Sequence, residues 1–442
     1  MSYELQPTVA IDIIATLPTL AILSLFTADH DLHRVRRAPL SPFFSRAGVA
    51  AARTQGMVRA KVERLCERVG GFAAGGGTAT EEEKNGEKIV LDLDAAISAF
   101  QRDVSTGFVL GKSYDDLEKE DFAVGMAHFS QGLGRMWRMT KHLRWYGPLM
   151  LSIPRDWLIQ YADERAAQFM RYTKSSEAET DRLLKDAAAN FASSSQDSNY
   201  QPSTIVHAIV NSPDLPPSEK TLTRVFADVA TVTGAGFETT AGVMRLVIYE
   251  VFSNAEILGK LRAELDDASF AAAAASASAV NGGDGGSSGS DGKKILLELR
   301  TLEKLPYLTA VLTEGMRMSP ALATRAQRVA VDRDIVYEEG GSYGGDGKKD
   351  KEVWRIPAGT PVVMTTLFMH MDERLYPDPK RFDPERWLRM TPEERRWADK
   401  TFSPFSRGAR ICLADHFEFV SNQFIIGTKG KSVLEVLVKH RE

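Results

Sequence analysis

The sequence predicts a mainly α-helical fold with a small β region, and three observations carry that reading. Apolar residues recur at helical spacing from Leu222 to Val247, with no proline to break the run. Shorter helical runs occur at Val62 to Cys66, Asn254 to Leu265 and Leu312 to Arg317. Strand character is confined to short pieces such as Ile356 to Met364, which reads as turn then strand. Of the 442 residues 43% are hydrophobic and 26% charged, an ordinary globular balance that excludes wholesale disorder. A net charge of −4 gives no global case for nucleic-acid binding. Two cysteines, Cys66 and Cys412, provide no disulfide framework and suit a reducing compartment. The length could hold two average domains, but residues 1–442 read as a single large helical unit.

Taken in order, the first element is the helix around His30 to Leu40. His33 and Arg37 lie four apart and share one face, while Arg34 and Arg36 suit a solvated basic face. Cys66 falls in a helical run and reads as a small core residue. Residues 70–86, 266–294 and 340–350 are rich in Gly, Ala, Ser and charge, and read as flexible surface insertions. Asn211 to Lys220 carries three prolines and forms a loop leading into the long helix. Within that helix Gly234 and Gly236 each cost about 1 kcal/mol of helix propensity relative to alanine. Such a pair implies a close approach to the backbone. Glu314 and Arg317 are three apart on their helix, a common and weak pairing signal. Pro379 to Trp387 brackets an aromatic with two prolines and reads as an extended, turn-rich strip.

The most specific signal is Phe405-Ser406-Arg407-Gly408-Ala409-Arg410-Ile411-Cys412-Leu413-Ala414. A lone cysteine in a large chain is usually a structural thiol and sometimes a catalytic nucleophile, for which His416 offers a base or a second metal ligand. The residues around Cys412 suit another role, a thiolate bound to haem iron that pushes electron density onto the metal. Gly408 would let the backbone pass close to a porphyrin face, Arg410 would meet an anionic propionate, and Phe405 would shield the sulfur.

This loop resembles the cysteine loop of the cytochrome P-450 family, Phe-x-x-Gly-x-Arg-x-Cys-x-Gly, with Ala414 at the last position. Three further motifs resemble the family in the same order: Ala235 to Thr240 on the long helix, Glu314-x-x-Arg317, and Pro384-Glu385-Arg386. The resemblance implies a cytochrome P-450 fold, mainly α with a small β region and incomplete at both termini, lacking the membrane anchor, first sheet and C-terminal hairpin. It implies haem b held by Cys412, with propionates at His33, Arg37, Arg410 and Arg325, and Phe405 and Gly408 against the ring. It further implies that Ala235 and Gly236 open a groove for dioxygen, that Glu238 and Thr239 relay protons, and that Glu314, Arg317 and Arg386 form a buried network.

The implied activity is insertion of one oxygen atom into an apolar small molecule, with electrons from NADPH through a reductase. The wording of the chain is most similar to fungal microsomal members near the trichodiene-oxygenase group, which points to secondary metabolism. An intact relative would sit at the endoplasmic reticulum membrane; a chain without the anchor would be cytoplasmic or peripherally membrane-associated, and monomeric. Exposed arginines on the first helix would serve as a docking face for an acidic electron donor. Two other readings stand: a haem-thiolate isomerase or dehydratase, which often lacks the pair kept here as Glu238 and Thr239, and a truncated remnant without haem.

Overall fold

The protein is described by a computed structural model at residues 24, 27, 29–73, 91–143, 145–194, 202–280, 297–319, 326–339, 352–414 and 435–436. In chain order its helices begin with α1 (His30–Arg37), α2 (Arg46–Ala50), α3 (Ala52–Ala73), α4 (Leu93–Leu110), α5 (Val124–His142), α6 (Tyr146–Ser152), α7 (Arg155–Tyr161) and α8 (Glu164–Ser194). They continue with α9 (Ile205–Val210), α10 (Leu222–Ser253), α11 (Ala255–Val280), α12 (Leu299–Leu302), α13 (Pro306–Met318), α14 (Thr366–His370), α15 (Glu385–Arg389) and α16 (Pro392–Thr401). Strands are few and short: β1 (Leu91–Asp92), β2 (Ala326–Val329), β3 (Ile335–Glu339), β4 (Glu352–Ile356), β5 (Pro361–Met364) and β6 (Glu435–Val436). They pair antiparallel as β1–β6, β2–β5 and β3–β4. The mainly helical class with a small β region holds.

Local signals set the helix ends. Asp29 caps α1, its carboxylate accepting from the Leu32 N–H at 2.7 Å, and Arg34, Arg36 and Arg37 favour the negative end of the helix dipole. Asp92 caps α4 by accepting from Ala95 N–H at 2.8 Å, and Gly111 ends that helix with φ +70°. Thr391 and Glu394 close a capping box on α16, with Pro392 in its first turn.

The 32-residue α10 is the axis of the core. Its Val225 and Val229 join Phe108, Val109 and Leu110 of α4, Leu183 of α8 and Ile205 of α9 in one apolar cluster. Farther along, Val251 meets Ile257, Tyr307, Val311 and Phe382, which seats α13 against α10. Gly315 permits that approach, because a Cβ there would collide with Val247 of α10. On its other side α13 packs through Ala310 onto Tyr376, Trp387 and Ala398. The core therefore places α10 and α13 as the rigid elements around which the later loops are arranged.

Three sequence expectations change. The alanine run after Leu265 continues α11 to Val280 instead of dissolving, as alanine's high helix propensity favours. The strip from Pro379 turns helical at α15, with Pro384 at the cap. Cys66 is exposed on α3 and is not a core residue. The remaining parts of the glycine-rich segments, along with Arg325 and His416, lie outside the described residues. Among the described residues no helix is long and apolar enough to cross a membrane.

Candidate functional site

The chain leaving α16 folds back on itself so that the N–H of Cys412 donates to the carbonyl of Phe405 at 3.0 Å. Two residues in this loop have positive φ, Ser406 at 65° and Gly408 at 78°. Only glycine adopts the second without a steric cost, and a Cβ built there would meet nothing within 4 Å. Phe405 is half-buried, and Cys412 is exposed. Among the described residues no group of three or more His, Cys, Asp or Glu forms a cluster that could hold a metal ion.

Helix α1 clamps the loop. Arg37 donates from Nη1 to the Ile411 carbonyl at 2.7 Å and from Nη2 to the Cys412 carbonyl at 3.4 Å. Arg410 donates to the Thr27 carbonyl at 2.7 Å. His33 is buried one turn before Arg37, and its pKa falls to about 4, from burial first and then from Arg410, Arg37 and His30. Arg410 is pushed down to about 10 by burial, with Arg328 and Arg37 adding to the effect. These shifts describe one partly buried concentration of positive charge beside the cysteine loop. Arg328 of β2 was missed in the sequence, where nothing distinguishes it from other arginines. The signal that could have found it is its position three residues after Arg325 in a short strand.

A depressed histidine pKa has a pH consequence. His33 titrates near 4 in the folded chain and near 6.5 when unfolded, so below 6.5 the unfolded state binds the extra proton. Its stabilisation is present above that pH and is lost as pH falls toward 4, with a slope of about 1.4 kcal/mol per pH unit. His370, also lowered to about 4, acts in the same window. Denaturant melts of the haem-free chain between pH 7 and 4 should show this slope, and His33→Asn should make it shallower. An identical slope in that variant would remove His33 from the account.

The central helix α10 divides its candidate residues between two faces. Ala230, Gly234 and Ala235 form an exposed stripe on an otherwise largely buried helix. Thr239, one turn beyond Ala235, donates from Oγ1 to the Ala235 carbonyl at 2.5 Å. Gly236 does not belong to that stripe. A Cβ there would lie 2.6 Å from Ser105 Oγ, so its missing side chain makes room for α4 and not for a groove on the exposed face. Glu238 also faces α4. Its Oε2 accepts from both Nη atoms of Arg245 at 3.0 Å, Oε1 accepts from Ser98 at 3.4 Å, and Asp94 pairs with Arg245 from the other side. Burial pushes the Asp94 carboxyl up, Arg245 opposes this, and Glu238 adds to it. Arg245 and Asp94 were not singled out in the sequence, because a partner seven residues along a helix and one from α4 have no shared motif.

Glu314, Arg317 and Arg386 come together in one buried network. Glu314 and Arg317 are both fully buried and Arg386 nearly so. The Glu314 carboxylate accepts from Arg317 Nε and Nη2 at 2.8 Å each, Arg386 Nε at 3.0 Å, Trp387 Nε1 at 2.9 Å and the Asp383 N–H at 3.0 Å. The remaining arginine hydrogens reach carbonyls: Arg317 to His370 at 2.8 Å and Pro379 at 2.7 Å, Arg386 to Pro377 at 2.7 Å and Asp378 at 3.0 Å. The carboxylate thus pins the Pro377–Asp383 strip to α13.

The expected basic face of α1 is only half present. Arg34 is exposed and pairs with Asp31 at 3.2 Å. Arg36 is buried, donating to both carboxylate oxygens of Glu219 at 2.8 and 2.9 Å and to Thr27 Oγ1 at 2.8 Å. It cannot serve as a docking cation, because its charge is engaged in joining α1 to the turn before α10.

A planar, dianionic cofactor fits this arrangement. The left-handed Gly408 faces open space, the α10 stripe is exposed, and the cationic group beside the thiol suits carboxylates. Comparisons agree in kind. The chain is 30% identical over 89% of its length to the cytochrome P-450 monooxygenase TRI4 of Trichoderma arundinaceum. It is 31% identical over 90% of its length to the fusicoccadiene C-8 hydroxylase of Alternaria brassicicola. It spans 64% and 66% of those two relatives' own lengths. Among solved structures, a zebra fish cytochrome P-450 with progesterone superposes with a TM-score of 0.55 at 18% identity, covering 93% of this chain and 77% of that one, which shows the fold. The family described as cytochrome P-450 matches residues 23–417, and the chain belongs to it.

Proposed function

We propose that the protein is a haem-thiolate monooxygenase that inserts one oxygen atom from O2 into an apolar small molecule. The observation that carries the reading is the exposed Cys412, on a loop clamped by Arg37 and set beside a partly buried cationic group. Haem bound there supplies oxygen activation, with the thiolate donating electron density to the iron. The chain's own residues do the rest. Cys412 Sγ is the protein ligand, Arg37, His33, Arg410 and Arg328 meet the propionates, with Arg325 a further candidate, and Gly408 admits the ring face. Phe405 would shield the sulfur, and Ala235 on the exposed stripe of α10 would border the bound group.

Thr239, one turn beyond Ala235, holds a proton at Oγ1, oriented by its bond to the Ala235 carbonyl. Glu238 is the reserve behind it, paired with Arg245, which Asp94 of α4 holds from the other side. The reading includes NADPH as electron source through a reductase, and the endoplasmic reticulum as the setting of intact relatives. One relative is named a fusicoccadiene C-8 hydroxylase and another a tryptophan 6-hydroxylase. Those names share a reaction type and not a substrate, so hydroxylation carries over and the molecule acted on does not. Fungal secondary metabolism is the context they support.

The reduced, carbon-monoxide-bound absorption spectrum of the haem-loaded chain tests the reading directly. A thiolate-type band is expected, and its absence in a chain that holds haem would overturn the assignment. A second expectation concerns proton delivery. Thr239→Ala should bind haem and consume NADPH at a similar rate, while product per NADPH falls about tenfold or more and peroxide rises in its place. Unchanged coupling would leave Thr239 as a helix hydroxyl with no part in the chemistry.

A further inference from the structure

His370 lies in no motif of the sequence, yet it joins the two most constrained parts of the fold. It ends α14 and is completely buried. Its backbone carbonyl accepts from Arg317 Nη1 at 2.8 Å, and its ring Nδ1 lies 3.1 Å from the Arg317 carbonyl. An acceptor there makes Nδ1 the protonated nitrogen. The other nitrogen, Nε2, then accepts from the backbone N–H of Ser403 at 3.1 Å. Burial holds the ring neutral, with a pKa lowered to about 4, as the two-sided bond requires. The imidazole also stacks on Phe402, with centroids 5.5 Å apart and planes at 19°, and meets Tyr376 edge-on at 6.2 Å.

Ser403 is where α16 gives way to the cysteine loop. Its carbonyl accepts from Ser406 N–H at 3.0 Å, and Phe405, between them, accepts from Cys412 N–H at 3.0 Å. An unbroken path therefore runs from Glu314 through Arg317, the His370 ring, Ser403 and the loop turn to the backbone of Cys412. Carboxylates and arginines cannot replace the ring, because this position needs a neutral donor and a neutral acceptor on opposite sides, about one imidazole apart.

We propose that His370 is a positioning residue for the cysteine loop: it transmits the fixed geometry of the Glu314–Arg317 network to Ser403 and so sets where Cys412 presents its sulfur. The proposal rests on the haem-thiolate reading for its consequence and on hydrogen bonding alone for its mechanism. It assigns the Glu314 network a purpose beyond holding α13 to the Pro377–Asp383 strip, since the ring carries that rigidity across to the loop. Supporting residues of this kind typically change metal affinity by about 10- to 100-fold when lost.

The decisive comparison is between His370→Gln, whose amide oxygen can still accept from Ser403, and His370→Met, of similar length with no such acceptor. Both lose the ring and its stacking on Phe402, so a merely structural role would affect them equally. His370→Met should lower haem affinity about tenfold relative to the parent chain and enlarge the thiol-type fraction of the carbon monoxide spectrum. It should also speed hydrogen exchange of the Ser403 amide in the haem-free chain. His370→Gln should stay within about threefold of the parent in affinity and retain most of the amide protection. Equal behaviour of the two variants in all three measurements would overturn the proposal. If neither variant folds, nitrogen NMR of the unsubstituted chain decides: a proton on Nδ1 supports the relay and a proton on Nε2 sinks it. A parent chain that binds no haem would defeat the monooxygenase reading, while the amide exchange would still report on His370.

Discussion

Cys412→Ser should abolish the thiolate-type carbon monoxide spectrum completely, whereas Cys66→Ser should leave it unchanged. Serine keeps the size and the backbone hydrogen bond from residue 412 to Phe405, so the loop itself should survive. What it cannot supply is a soft, anionic sulfur, because the hydroxyl stays protonated near neutral pH. The control is well matched, since both thiols are exposed and only their surroundings differ. Cys66 lies on an outward face of α3, while Arg37 donates to the carbonyls of Ile411 and Cys412. Haem titration separates the two possible failures. A variant that still binds haem through His33, Arg37 and Arg410 but lacks the band would show that the cationic group and the ligand act independently. An unaltered band would sink the assignment of Cys412.

Motif residues were legible because their chemistry forces their type. Glycine at 408 is required by a φ of +78°, and the carboxylate at 314 by the arginine and tryptophan donors it must satisfy. Residues that support the motifs were not legible in the same way. His370 bonds to Arg317 and Ser403, 53 and 33 residues distant, and Arg245 acts with Asp94 across the α4–α10 packing. Such partnerships exist only once the helices are packed, so no spacing in the chain announces them.

The misjudged residues have the same origin. Arg36 read as exposed because its neighbours are basic, and is buried because Glu219 arrives from a loop 183 residues later. Gly236 read as an opening toward a ligand, but helical rotation turns it to Ser105, while Gly234 and Ala235 face the open side. Residues two apart on a helix differ by about 200° in direction, so Gly234 and Gly236 need not share a role. The alanine run of α11 shows the converse error, composition mistaken for disorder where propensity alone sustains a helix.

Removing the Glu314 carboxylate should be the most destabilising single change in the chain. Five donors converge on it, from Arg317, Arg386, Trp387 and the Asp383 backbone, and none of the side chains involved can turn to solvent. Glu314→Ala leaves two buried guanidinium groups without their counter-charge, a situation that typically costs about 3–5 kcal/mol. That is a large share of the ~5–15 kcal/mol by which domains are usually stable, so an insoluble or molten product is an admissible form of the result. The contrast is Glu164→Ala, which breaks an ion pair to Arg171 of similar length, 2.8 Å, with both side chains more than half exposed. Solvent screening there leaves little to lose, so the expected change is far smaller. Denaturant melts of the two variants, run beside the parent chain, measure both. Arg317→Met with Glu314→Met together should cost less than Glu314→Ala alone, because removing both charges leaves fewer uncompensated groups. A Glu314→Ala loss as small as that of Glu164→Ala would mean the network is wetter than its burial indicates, and the path through His370 would lose its fixed anchor.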